Sequence, residues 1–148
     1  MHAFVEGRPL VLAGVEVPHQ AGLSGHSDAD VISHAIADAL LGAAGFGDIG
    51  DRFPATDRWK NASSLEILRD CATEVEAAGW SIANLDATVI LEEPKLAPYR
   101  SQMTRRVARA LGIGPDRVSI KATTTDGLGA VGSKEGIAAM AVVLIERP

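Results

Sequence analysis

The sequence predicts an α/β (α+β) sandwich, a mixed β-sheet with helices on one face, built as a single domain over residues 1–148. Three observations carry this expectation. β-prone and helix-periodic runs alternate along most of the chain, as they do when helices cover a sheet. The last run, Gly136 to Glu146, is apolar at nearly every residue, the pattern of a strand covered by protein on both faces, one of which another subunit can supply. No internal repeat or low-complexity linker divides the 148 residues, a length that buries a core without disulfide or metal support.

The elements follow in order. Leu10 to Ala13 and Val15 to Val17 are short strands divided by Gly14, and Gly22 to Gly25 leads into the first helix. Ser27 reads as an N-cap with Asp30 three residues on, a capping-box variant, so the helix is expected from Asp28 to about Ala44 with His26 just outside its positive end. It turns Val31, Ile32, Ala35, Ile36, Ala39, Leu40 and Ala43 toward a core, and Gly45 and Gly47 end it. A second helix follows Ser63 or Ser64 and presents Leu65, Leu68, Cys71 or Ala72, and Val75 until Gly79. Trp80 to Leu91 reads as a strand. A third helix, from about Ala97 to Leu111, buries Met103, Val107 and Leu111 and shows Arg100, Arg105, Arg106 and Arg109 as a solvated face. Val118, Ile120 and Ala122 alternate as a strand that runs into Thr123, Thr124, Thr125 and Asp126, so oxygen ligands collect at that strand end.

Composition narrows the function classes. Hydrophobic residues make up 47% of the chain, yet no apolar run approaches membrane-spanning length, and MHAFVEG is no signal peptide. A cytoplasmic location is expected. Cys71 sits in an amphipathic pattern as a small core filler. A formal charge of −5 with only three Phe, two Trp and one Tyr offers neither a basic groove nor a stacking platform, so nucleic acid is excluded as a partner. An anionic ligand must therefore be captured locally, by metal ions, helix N-termini, backbone amides and a few lysines.

Polar chemistry concentrates between Gly25 and Gly50, which holds His26 and His34, two of the four histidines, together with Asp28, Asp30, Asp38 and Asp48. Asp30, His34 and Asp38 are spaced by four and share a helical face. That spacing either orients an imidazole for metal binding or makes a solvated polar stripe.

HSDADVISHAIADALLGAAGFGDIG, then FPATD at Phe53 to Asp57, EEPKLAP at Glu92 to Pro98 and IKATTTDGLG at Ile120 to Gly129 appear in this order across the chain. Together they resemble the 2-C-methyl-D-erythritol 2,4-cyclodiphosphate synthase family. The resemblance implies a homotrimer with active sites between subunits and sheets facing one another around a threefold axis. The implied reaction turns 4-diphosphocytidyl-2-C-methyl-D-erythritol 2-phosphate into the cyclic diphosphate and releases CMP. It implies Zn2+, or another divalent transition metal, on His2 and His34, and Mg2+ or Mn2+ on Asp126. It assigns stabilisation of the reacting phosphates to His26 and Thr124, with Ser27 beside His26 and the helix dipole favouring an anion. Asp48, Ile49, Gly50, Phe53 and Asp57 would hold the methylerythritol part, Asp48 taking its hydroxyls. Pro94, Lys95, Leu96, Ala97 and Thr123 would hold the cytidine and its phosphate, and Thr124, Thr125 and Asp126 are further substrate contacts.

The sequence departs from the family pattern in four places. The family's first zinc ligand is an aspartate two residues before the first histidine, a position that would precede Met1, so the sequence begins inside the metal motif. A trimmed or misassigned start is expected in preference to a true loss. Asp126 stands where Glu is usual, and Ala55 where the family often has Asp. Ala130 and Ser133 replace a bulky residue and an arginine that line the relatives' central cavity, and Lys134 offers only a point charge there, so weak or absent binding of isoprenoid diphosphate is expected. Two other functions stay open on sequence alone: a non-catalytic trimer that binds a nucleotide or diphosphate, and the C-terminal domain of a bifunctional cytidylyltransferase and cyclase.

Overall fold

The computed structural model describes residues 1–54 and 56–147, without the Arg58 side chain, so Ala55 and any role for it lie outside the described residues. Strands β1 (His2–Glu6), β2 (Leu10–Leu12), β3 (Val15–Val17) and β4 (Ala21–Leu23) precede helix α1 (Val31–Ala44) and the short α2 (Ile49–Arg52). A 3-10 turn at Asp57–Trp59 leads to α3 (Ser64–Ala77), β5 (Ser81–Ile90) and α4 (Arg100–Leu111). After a second such turn at Pro115–Arg117 come β6 (Val118–Thr123), the short α5 (Gly129–Gly132) and β7 (Gly136–Glu146).

Five strands form one sheet in the order β4-β1-β7-β5-β6. Its pairs are antiparallel except β5 with β6, so the sheet is mixed, as expected. α1 packs on β7 and α4 on β6, with α3 against both helices, which makes a single helical layer. Ile32, Ile36, Leu40, Leu68 and Met103 in that layer are fully buried. Burying each such side chain contributes about 1.5–3 kcal/mol, so the layer and the sheet face beneath it form the core.

β7 ends where the periodicity places it, and within this chain one of its faces is covered, the other being the face open to a second subunit. Ile137 and Val143 point into the core, whereas Met140, Val142 and Leu144 are 68%, 72% and 58% exposed on the other face. Alternation of side chains along a strand sends these two sets to opposite faces, and α1 covers only one of them.

Two helix starts differ from the sequence expectation. α1 begins at Val31 rather than Asp28, because Ala29 is left-handed (φ 58°) and Asp30, not Ser27, is the N-cap, accepting from the Ile32 and Ser33 amides. α4 begins at Arg100 rather than Ala97, since Ala97 precedes Pro98 and the α region is disfavoured there. In α3, Ile67 is buried and Leu65 only half-buried, under the β2–β3 turn. That turn is Ala13-Gly14, left-handed at both residues (φ 49° and 70°), the type I′ geometry that suits a two-residue hairpin. A Cβ on Gly14 would stand 2.1 Å from Leu65 Cδ1.

Asp30 joins the hairpin to the helix. Fully buried, its carboxylate accepts from the Ala13 and Gly14 amides at 2.8 and 2.7 Å, from the Ile32 and Ser33 amides at 3.1 Å, and from Ser33 Oγ at 2.7 Å. The arginine face of α4 is not wholly solvated either. Arg106 donates to the Gly14 carbonyl and Arg100 lines a cleft described below.

Candidate active site

β1 carries His2 beside Ile137 at the start of β7, and α1 carries His34 one turn in from its cap. These elements bring His2 Nε2 to 3.1 Å from His34 Nδ1. Burial, then the neighbouring His34, lowers His2 to about 4, and burial likewise lowers His34. Both rings are therefore neutral near pH 7, the form that offers a lone pair to a metal.

A hydroxyl sets the role of each His34 nitrogen. Ser64 Oγ donates to Asp28 Oδ1, and Ser64 N donates to Asp28 Oδ2 at 3.0 Å. With its proton so committed, Ser64 Oγ accepts from His34 Nε2 at 2.9 Å, and Ser27 Oγ lies 3.2 Å from the same nitrogen. The His34 proton thus sits on Nε2, and the Nδ1 lone pair faces His2. Ser64, held by Asp28, orients the ring, and neither Asp30 nor Asp38 does. Asp30 caps the helix instead, and Asp38 accepts from the Ile49 amide at 2.8 Å.

Two imidazole nitrogens on one tetrahedral zinc, each at about 2.0–2.1 Å, stand about 3.3 Å apart. The His2–His34 separation fits two positions of such an ion. Among the described residues no third His, Cys, Asp or Glu joins them, whereas zinc sites have at least three protein ligands.

Around this pair lies a cleft of about 130 Å³ lined by His2, His26, Ser27, His34, Ile49, Gly50, Phe53 and Trp59. Phe53 and Trp59 meet edge-on, centroids 4.9 Å apart. His26 Nε2 donates to the Thr56 carbonyl at 2.6 Å, tying His26 to the loop after Phe53. Asp48 caps α2 by accepting from Asp51 N at 3.0 Å, and neither Asp48 nor Asp57 lines the cleft. The positive end of α1 is not open to a substrate anion as expected, because the Asp30 carboxylate already occupies it.

A second cleft, about 250 Å³, opens where parallel β5 and β6 end together. Leu91, Glu92, Pro94, Lys95, Leu96, Ala97, Arg100, Ala122, Thr123 and Thr124 line it. Thr124 Oγ1 donates to Asp126 Oδ1 at 3.1 Å on the turn after β6, so these two predicted groups stand together. Thr125 faces Glu92, its amide donating to Glu92 Oε1 at 2.9 Å. The two clefts share no residue. His2 pairs with Ile137, Ala138 with Ile90 and Ile90 with Thr123, so the clefts lie at one end of the sheet, three strand spacings or about 14 Å apart.

Sequence reasoning missed Ser64, Trp59, Glu92 and Arg100. Ser64 was readable as a helix start but carries no spacing signal toward His34, which lies 30 residues away. Cys71 is the buried filler expected, its thiol pushed up to about 12 by burial.

The arrangement defines a class: a helix-covered mixed sheet that gathers neutral imidazoles, hydroxyls and carboxylates at one end of its strands for small-molecule chemistry. The chain belongs to the YgbB family, whose model matches residues 1–146. The 2-C-methyl-D-erythritol 2,4-cyclodiphosphate synthase of Salinibacter ruber is 56% identical over 147 residues, covering 99% of this chain and 94% of that protein. The protein of the same name from Syntrophobacter fumaroxidans is 57% identical over 146 residues, covering 98% and 92%. A 2C-methyl-D-erythritol-2,4-cyclodiphosphate synthase structure in a CDP-bound form superposes with a TM-score of 0.89 at 37% identity, over 98% of this chain and 95% of that one. The bifunctional IspDF of Campylobacter jejuni gives a TM-score of 0.95 at 42% identity, and there 99% of this chain spans 40% of the longer protein.

Proposed function

We propose that this chain converts 4-diphosphocytidyl-2-C-methyl-D-erythritol 2-phosphate into 2-C-methyl-D-erythritol 2,4-cyclodiphosphate and CMP. It acts as a phosphorus–oxygen lyase of isoprenoid precursor synthesis, and residues 1–148 serve as one domain for it. The observation that carries the reading is the identity of 56% to a synthase of that name across 99% of the chain. The two clefts at one end of the sheet support it, since the substrate has a nucleotide half and a methylerythritol half.

The 2-phosphate oxygen attacks the β-phosphorus, and the bond from that phosphorus to the oxygen of CMP breaks. No water enters, and CMP leaves with the electron pair. Two anions must approach while charge grows on the leaving group, so positioning and local positive charge are what the protein has to supply. His2 and His34 would hold zinc or another transition metal, and Asp126 would help hold magnesium or manganese. Bound there, such ions would screen and polarise the phosphoryl oxygens.

The chain's own groups bind and orient. Pro94, Lys95, Leu96, Ala97 and Thr123 take the cytidine and its phosphate. His26, with Ser27 beside it, and Thr124, with Thr125 and Asp126 beside it, face the reacting phosphates. Ile49, Gly50 and Phe53, on the cleft wall, hold the methylerythritol part, with Asp48 and Asp57 on the flanking segments. Because the attack is intramolecular, fixing both ends of the substrate can lower the barrier by about 7–11 kcal/mol in favourable cases.

The protein acts as a homotrimer in the cytoplasm, with sites shared between neighbouring copies. The exposed Met140, Val142 and Leu144 on one face of β7 support this, because such an apolar row is suited to burial against another copy. Native mass measurement tests the trimer. CMP release from authentic substrate with magnesium and zinc tests the reaction. His34→Ala is expected to abolish cyclisation while leaving CMP affinity largely intact. A wild-type chain that never releases CMP under these conditions refutes the proposal.

A further inference from the structure

Glu92 is a carboxylate in a cleft that is to receive an anion. Coulomb repulsion makes that placement unfavourable unless the group has another task. Its Oε1 accepts from Thr125 N at 2.9 Å and from Thr125 Oγ1 at 3.0 Å, the hydroxyl proton being shared with the Leu128 carbonyl at 2.7 Å. Gly127 N lies 3.4 Å from the same oxygen, at the long edge of hydrogen bonding, and adds little. The Thr125 contacts cross 33 residues of sequence.

The backbone explains why such a contact is needed. Pairing of β5 with β6 carries on one step past the strands through Leu91 N to the Thr123 carbonyl at 3.0 Å. Past that point the chain turns, and Asp126 takes a left-handed conformation (φ 53°), which is uncommon for a residue with a Cβ. The Glu92 side chain takes over where the backbone ladder stops.

We infer that Glu92 is a positioning residue for the proposed reaction: it latches the turn bearing Thr124 and Asp126 to the strand end that leads into the nucleotide loop Pro94–Ala97. The inference rests on the reaction proposed above. What the site uses is the acceptor geometry of Glu92, not its charge. Bonds from Thr125 hold its carboxyl below the ordinary Glu range, as expected of an oxygen that only accepts in this contact.

Glu92→Gln keeps an acceptor oxygen at the same reach, whereas Glu92→Ala removes it. Displacing reacting groups by about 1 Å can cost about 100-fold in rate, so Glu92→Ala is expected to lower kcat by about that factor. The Leu91–Thr123 bond and the Pro94–Ala97 loop remain in that variant, so its Kd for CMP should stay within about threefold of wild type, as expected for lost alignment rather than lost binding. Glu92→Gln should keep kcat within about threefold as well, which a need for the charge would not allow.

The test is steady-state CMP release and CMP calorimetry on the wild type and both variants, with amide hydrogen exchange at Thr125 in the wild type. Loss in Glu92→Ala with rescue in Glu92→Gln, and slow exchange at Thr125, support the latch. An unimpaired Ala variant, equal impairment of both variants, or a Thr125 amide that exchanges at open-chain rates overturns it. The exchange measurement decides the matter even if Glu92→Ala does not fold. A wild type that releases no CMP overturns the proposed reaction instead, and exchange at Thr125 still decides the latch.

Discussion

Replacing Asp30 with alanine would remove the acceptor for four backbone amides and one hydroxyl at a fully buried position. Loss of an N-cap costs about 0.5–2 kcal/mol. Each turn amide left buried without a partner, at Ala13 and Gly14, costs a further 1–3 kcal/mol or so. Partial relaxation toward water brings the expected loss to about 3–6 kcal/mol, a large share of the roughly 7–20 kcal/mol that a chain of this length holds. Asp30→Asn should fare little better, because all five partners are donors and the new NH2 must face some of them. Urea unfolding followed by circular dichroism, at one fixed chain concentration and pH, measures both losses. A loss below about 1 kcal/mol in the alanine variant would refute the view that this carboxylate joins the hairpin to the helix.

Three further outcomes are expected. Ser64→Ala frees the Nε2 side of His34 and should weaken zinc binding at the His2–His34 pair by about 10- to 100-fold, read by competition with a chromophoric chelator. His2 has a folded pKa near 4, below its ordinary 6.5, so between those values the unfolded chain binds more protons. Stability from this group is present above about pH 6.5 and lost as pH falls toward 4, with His34 acting in the same direction; thermal unfolding across that window checks the slope. Geranyl diphosphate should bind weakly or not at all, because the Lys134 ammonium already pairs with Glu93 at 3.0 Å and Ala130 and Ser133 offer neither bulk nor charge. Tight uptake by calorimetry would contradict this.

Much of the fold was legible because it rests on period and punctuation. β7 and β6 were readable from apolar patterning, and the end of α1 from Gly45, which is left-handed (φ 74°) at the C-cap. The start of α1 was misread because Ser27 and Asp30 are both good caps, and only the left-handed Ala29 between them decides which one acts. Local motifs fall where clefts form: His26 and Ser27, then Ile49, Gly50 and Phe53, and Pro94 to Ala97 each stand on a cleft wall. Contacts between distant segments were not legible. Asp28 reaching Ser64, and Glu92 reaching Thr125, join residues whose spacing carries no periodic signal. That one face of β7 could meet another subunit was legible from its apolar run, but which residues face outward was not, since an apolar strand reads the same on both faces.

Strand β7 has a consequence for how this protein tolerates change. β5 pairs with it from Ala138 to Glu146, whereas β1 reaches only Gly136 and Ile137, so most of the strand is held from one side. Ile137 and Val143 answer to the helical layer, while Met140, Val142 and Leu144 answer to whatever lies opposite the bare face. Selection on this segment should therefore change character at every second residue: volume is policed on one side, and polarity on the other.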